Sequence, residues 1–169
     1  MMLLSVIVAV AVIAGATPAT EPFCGPRYRG VAQPAVANRS CRLYDVATPR
    51  GVLALYTATD EAQREYGLMY QTRLPAHSGM IFKFPDGDLV RVFWMKNTLI
   101  PLDMVFVKAD GVVSSVAADV PATKESTPDE QVPRRSGVGE YVIELNAGEA
   151  ASDGLRRGVR LRLAHLDAL

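Results

Sequence analysis

Apolar residues along this chain fall into short runs broken by turn residues, not into the long stripes at three- and four-residue spacing that mark helices. Val52–Thr57 (VLALYT), Met80–Phe84 (MIFKF), Leu89–Met95, Leu102–Lys108, Val112–Ala118, Gly139–Leu145 and Val159–Leu163 each predict a strand. Thr59, Asp60 and Glu61 supply a cap and acidic first-turn residues, so a short helix is predicted from there to about Tyr70, and a second over Ala147–Leu155. Pro85-Asp86-Gly87-Asp88 is turn chemistry and predicts a hairpin between MIFKF and Leu89–Met95; Asp110-Gly111 predicts another between the next two runs. Residues 119–137, with Pro121, Pro128 and Pro133, read as a long surface loop. The fold class that follows is mainly β: an antiparallel β-sandwich or flattened barrel with one or two short helices.

The stretch FWMKNTLIPLDMVFV, residues 93–107, is the most informative. At the two-residue period of a strand, Leu102, Met104 and Phe106 share one face, and Asp103, Val105 and Val107 share the other. Both faces are apolar apart from Asp103, which predicts a central strand covered on both sides. On the preceding strand Val90, Val92, Trp94 and Lys96 share a face, and Phe93 and Met95 the opposite one. With Asn97–Pro101 as the connecting turn, Lys96 and Asp103 would meet at its mouth as a cross-strand pair. Two readings stand side by side. The pair is a solvated turn contact worth about 0.2–1 kcal/mol, with Trp94 a core or rim aromatic; or Trp94, Lys96, Asn97, Thr98 and Asp103 line a cleft that holds a small molecule.

Residues 1–19 carry no charged side chain, and the run from Leu3 to Ala16 has the length of a signal-peptide apolar region, short of the roughly 20 residues a spanning helix needs. Ala14-Gly15-Ala16 fits a small-x-small cleavage site. Export to the periplasm or beyond is the expectation. An uncleaved anchor is the alternative, because no basic residue precedes the run, and it would be the chain's only membrane contact. Residues 20–50 read as a Pro- and Gly-rich arm and 51–169 as a single β domain. Cys24 and Cys41, the chain's two cysteines, are expected to form one disulfide in the arm, with two free thiols the alternative.

Lys plus Arg number 18, as do Asp plus Glu, so no net field draws the chain to nucleic acid. With His77 and His165 far apart and no C-x-x-C, neither a metal site nor a cofactor is expected. Those two histidines and the absence of G-x-S-x-G leave no nucleophile–base constellation legible. A carboxylate pair of Asp103 and Glu144, both on predicted strands, is the remaining enzymatic reading, alongside that of two ordinary strand carboxylates.

The strings GLMYQTRLPAHSGMIFKF, FWMKNTLIPLDMVFV, a DG hairpin, YVIELNAGEA and GLRRGVRL, in that order over roughly residues 52–163, resemble the family catalogued as domain of unknown function 192. The resemblance implies a small antiparallel β-sandwich, often exported or membrane-tethered, without an established activity. Its characteristic polar positions fall here on Arg64, Lys96, Asn97, Thr98, Asp103, Glu144 and Asn146. Two positions depart from the pattern: Gln71 stands where Arg usually follows Gly-Leu-Met-aromatic, with Arg73 the next arginine, and His77 replaces an acidic residue before Ser-Gly-Met. Together these readings lead to a binding module of the cell envelope for a small molecule or glycan. A structural or protein-interaction domain is the alternative, and a hydrolase with a carboxylate pair a further one.

Overall fold

The computed structural model describes residues 43–163. The segment read as a signal, both cysteines and nearly all of the arm lie outside the described residues. Eight strands and two short helices follow one another as β1 (Tyr44–Ala47), β2 (Val52–Ala58), α1 (Glu61–Tyr66), β3 (Ser78–Lys83), β4 (Leu89–Trp94), β5 (Leu102–Val107), β6 (Val113–Val120), β7 (Arg134–Gly139), β8 (Tyr141–Asn146) and α2 (Glu149–Ser152). A single 3-10 turn, Asp129–Gln131, precedes β7.

Six strands form one sheet in the order β1-β2-β3-β8-β5-β6, and β4 and β7 form a separate antiparallel ribbon. The mainly β, two-sheet expectation holds. Pairing is antiparallel except between β2 and β3, which run parallel because the segment containing α1 carries the chain back to the start of the sheet. In β5 every residue is buried, as its two apolar faces predict for a central strand. One face of the large sheet packs Leu53, Ile81, Val105, Ile143 and Leu145 against α2 and the C-terminal segment around Leu155 and Leu161. Across the sheet, Met80, Phe82, Met104, Phe106 and Val142 pack against Leu68, Leu74, Met95 and Val132. The ribbon closes this second layer by inserting Phe93, whose ring meets Phe82 edge-on at 4.9 Å and Phe106 at 6.2 Å. At Gly137 on β7 an added Cβ would lie 2.3 Å from the Phe106 ring, so only glycine lets the ribbon approach this closely.

Several expectations about connectivity are corrected. MIFKF does not pair with Leu89–Met95, since both edges of β3 are taken, by β2 and β8. The Pro85–Asp88 turn instead sends the chain across to the ribbon. There Arg91 fixes the turn: its guanidinium is held bidentately by Asp86 at 2.6 and 3.1 Å, donates to the Gly139 carbonyl at 2.9 Å and lies 4.2 Å over Phe84. The partner of β4 is β7, most of which lies inside the stretch expected as loop. Nor do β4 and β5 form a hairpin, because they belong to different sheets. The domain begins before residue 51, since β1 pairs antiparallel with β2. Val159–Leu163 is reduced to a bridge between Arg160 and Val112. The β5–β6 hairpin and both short helices are found; α1 carries a reciprocal capping box between Asp60 and Gln63.

Candidate functional site: a cleft under Trp94

Between α1 and β4 an open groove of about 590 Å3 is lined by Glu61, Arg64, Glu65, Phe84, Val92 and Trp94. Beneath its Trp94 end a narrow cavity of about 30 Å3, room for a water or a single small group, runs down past Leu68, Phe93, Lys96 and Thr98 to Glu144. Arg64, Glu65, Phe93 and Trp94 line both spaces, so the two form a stepped cleft.

Glu144 is the floor. It lies in the middle of β8, opposite Met80 on β3 and Met104 on β5, and is 5% exposed. Among the described residues no donor bonds its side chain and no cation pairs with it. Burial alone pushes its carboxyl up to about 8, so near neutral pH the group is protonated and has both a donor and an acceptor to offer.

The walls are held by their own networks. Arg64 donates to the carbonyls of Thr59 at 2.6 Å and Lys83 at 3.0 Å, and its guanidinium lies 5.2 Å over Phe84. Trp94, on the outer face of β4, remains 41% exposed. Thr98 is buried, donates its hydroxyl to the Lys96 carbonyl at 3.2 Å and lends its own carbonyl to Thr123. Asn97 acts one step back. In a left-handed conformation (φ 51°) it donates its amide to the Tyr70 hydroxyl at 2.8 Å and accepts the Tyr70 backbone N–H at 2.7 Å. Those bonds pin the 67–70 turn whose Gly67, Leu68 and Met69 line the cavity.

Two other expected site residues lie elsewhere, and the Lys96–Asp103 pair does not form. Lys96 bonds Asp129 from the turn before β7. Asp103 is fully buried on the opposite face of the large sheet, where it accepts the backbone N–H groups of Asp119 at 2.8 Å and Ala150 at 2.9 Å. With β5 paired so that Met104, not Asp103, lies opposite Glu144, strand alternation separates the two carboxyls onto different faces, and no carboxylate dyad exists. Asn146 donates to the Pro75 carbonyl at 3.3 Å and ties the end of β8 to the loop before β3.

Sequence reasoning missed Glu65, Tyr66 and Met69, although Ala62, Glu65, Tyr66 and Met69 follow the three- and four-residue spacing of one helix face. His77 is also more than a surface residue. In a left-handed conformation (φ 54°), it donates its backbone N–H to Glu149 at 2.9 Å, and its Nδ1 lies 3.2 Å from both carboxylate oxygens of the buried Asp153. Gln71, 1% exposed, leaves both atoms of its amide group without a partner.

A family model for domain of unknown function 192 (DUF192, uncharacterized ACR) matches residues 45–163. Among solved structures, a protein from Sinorhizobium meliloti 1021, described as a candidate transcription regulator, is 35% identical, with a TM-score of 0.58 over 70% of this chain and 89% of that one. A protein of unknown function from Novosphingobium aromaticivorans DSM 12444 is 32% identical, with a TM-score of 0.56 over 70% of this chain and 81% of its own. No curated protein matches the chain.

Proposed function

The chain belongs to the DUF192 family, whose description assigns no activity, and on its own residues we propose that the domain is a ligand-binding module with its site in the Trp94–Glu144 cleft. One observation carries this reading: a buried carboxyl with no partner among the described residues stands at the bottom of a cavity that opens to solvent. A polar group left unsatisfied in an interior costs roughly 1–3 kcal/mol, and a ligand that bonds it recovers that cost. The protonated Glu144 offers one hydrogen bond and accepts another, which suits a hydroxyl. Trp94 above it offers an apolar face to the rest of the ligand. Small polyols, sugars and cell-wall fragments match that combination, and the uncharged segment at residues 1–19 makes the cell envelope the place to look for them.

The carboxylate-pair hydrolase reading loses its support, because the second carboxyl lies on the other side of the sheet. The regulator description of the Sinorhizobium protein is not carried over either: the charges of this chain balance at 18 and 18, which gives no attraction to nucleic acid.

Trp94 is the chain's single tryptophan, so its emission is a direct reporter of the cleft. Titration with mono- and disaccharides, polyols and peptidoglycan fragments is expected to shift that emission for at least one class and to raise the melting temperature. Glu144→Ala is expected to remove both effects. For a neutral ligand held by the protonated carboxyl, affinity should be full below pH 8 and fall above it. A ligand that binds equally well to Glu144→Ala and to Trp94→Ala would place the site elsewhere.

A further inference from the structure

Five of the seven large apolar side chains exposed among the described residues, Leu89, Val90, Val92, Trp94 and Val138, belong to the β4–β7 ribbon. Register gathers four of them on its outer face. Val90 lies opposite Val138, Val92 opposite Ser136, and Trp94 opposite Arg134, whose guanidinium is 5.7 Å from the indole ring. Val90 and Val92 are 67% and 65% exposed, although the ribbon's inner side chains Arg91 and Phe93 point into the domain. Continued one step past the end of β7, the same alternation adds Glu140 at one end, with Arg134 at the other; Asp88 and Lys96 are engaged elsewhere, by the Ala109 N–H and by Asp129. From end to end the face runs acidic, apolar, basic. The apolar stretch itself carries no charge, proline or bulge, the devices that keep exposed sheet surfaces apart.

We propose that this face docks on the same face of a second copy, with the two ribbons antiparallel about a twofold axis near Val92 and Ser136. Charge selects both the occupant and the orientation. Antiparallel docking sets Glu140 of each copy against Arg134 of the other, whereas a parallel arrangement would oppose like charges at both ends. An anionic bilayer would repel the acidic end, and an apolar partner would leave both charged ends unmatched. The strip is narrow beside the roughly 800 Å2 per partner of a stable interface, so the dimer is weak and forms at high concentration. In this arrangement Val90 and Val138 of one copy cover Trp94 of the other and wall the mouth of its cleft; that last consequence rests on the ligand-binding reading, and the dimer itself does not.

Sedimentation velocity on the chain as isolated, from about 1 µM to 1 mM, is expected to show reversible monomer–dimer exchange. Val92→Glu, which places two like charges at the axis, should raise the dissociation constant by about tenfold or more. Glu140→Lys and Arg134→Glu should each weaken the dimer, and the double variant, with both ends reversed, should regain it; far-UV circular dichroism checks that each stays folded. A monomer at every concentration overturns the proposal, as does a dimer that Val92→Glu leaves unchanged. Failure of the double variant to recover rules out antiparallel docking, and a monomer that instead sediments with anionic vesicles names a bilayer as the occupant. None of these outcomes depends on finding a ligand, so the dimer and the cleft can fail separately.

Discussion

Asp103 and Glu144 sit on adjacent strands at the centre of the same sheet, both buried, and their circumstances are opposite. Asp103 faces α2 and receives two backbone N–H groups, from the far end of β6 and from the second residue of the helix. Glu144 faces the α1 side and receives none from the described residues. A carboxylate that accepts two backbone donors is a clamp: it satisfies groups that have no other partner and fixes the elements that own them. A carboxyl that accepts nothing holds nothing together, and its burial is a cost that the rest of the fold carries. The residue that stabilises and the residue with chemistry to offer are thereby told apart by their donors, since burial is common to both.

The comparison breaks most visibly at Asp103. Asp103→Ala leaves the N–H groups of Asp119 and Ala150 unsatisfied, and is expected to lower stability by about 3–5 kcal/mol in urea unfolding. A loss below about 1 kcal/mol would mean that the clamp is decorative.

Glu144→Gln should act in the opposite direction, and only over a defined pH range. The folded carboxyl titrates near 8 and the unfolded one near 4.5. Between those values the unfolded chain gives up its proton while the folded chain keeps it, so stability falls as pH rises through that window. The glutamine variant escapes the loss. At pH 7 it should be more stable than the parent by up to about 3 kcal/mol, and below pH 4.5 that pH-linked advantage should vanish. Unfolding curves for both proteins from pH 4 to 8 provide the check, and a gap that does not change with pH would show that the carboxyl titrates normally.

Asn97→Ala should cost about 1–2 kcal/mol, from the lost bond to Tyr70 and a strained left-handed alanine. Asn97→Gly should recover the backbone part alone, and in both variants the Trp94 emission should shift as the 67–70 turn loosens. The smallest effect belongs to Lys96→Ala, whose partner Asp129 is well exposed: under about 1 kcal/mol. Combined with Asp103→Ala, its effect should simply add, because the two residues share no contact; a cycle showing coupling would restore the pair that the sequence suggested.

Much of the large sheet was legible because alternation reports burial directly. Two apolar faces made β5 central, and Asp-Gly placed the β5–β6 hairpin. Turn chemistry misled at Pro85–Asp88 because a turn specifies a change of direction and says nothing about which strand the chain then joins. β7 escaped notice for a physical reason: Arg134-Arg135-Ser136-Gly137-Val138-Gly139 needs a single large apolar residue, since one face of the ribbon is exposed and on the other Gly137 must clear the Phe106 ring and Gly139 the Val107 carbonyl. Arg64, Trp94, Lys96, Thr98 and Glu144 do converge on one cleft. What misplaced Asp103 was the assumed hairpin between β4 and β5; its own alternation had already assigned it to the other face.

The strand order has a consequence in time. β8 is the last strand among the described residues, yet it lies between β3 and β5 and pairs with nearly all of one and the whole of the other. While the polypeptide is being made, the two halves of the large sheet have no ladder joining them until Tyr141–Asn146 emerges. Closure of β3 on β8 then requires pairing across about half of the described domain, the kind of long-range search that makes β proteins slow to fold. Until it ends, β3 and β5 present open edges. A nascent chain of this design stays incomplete, and open to a chaperone, until Tyr141–Asn146 has been made.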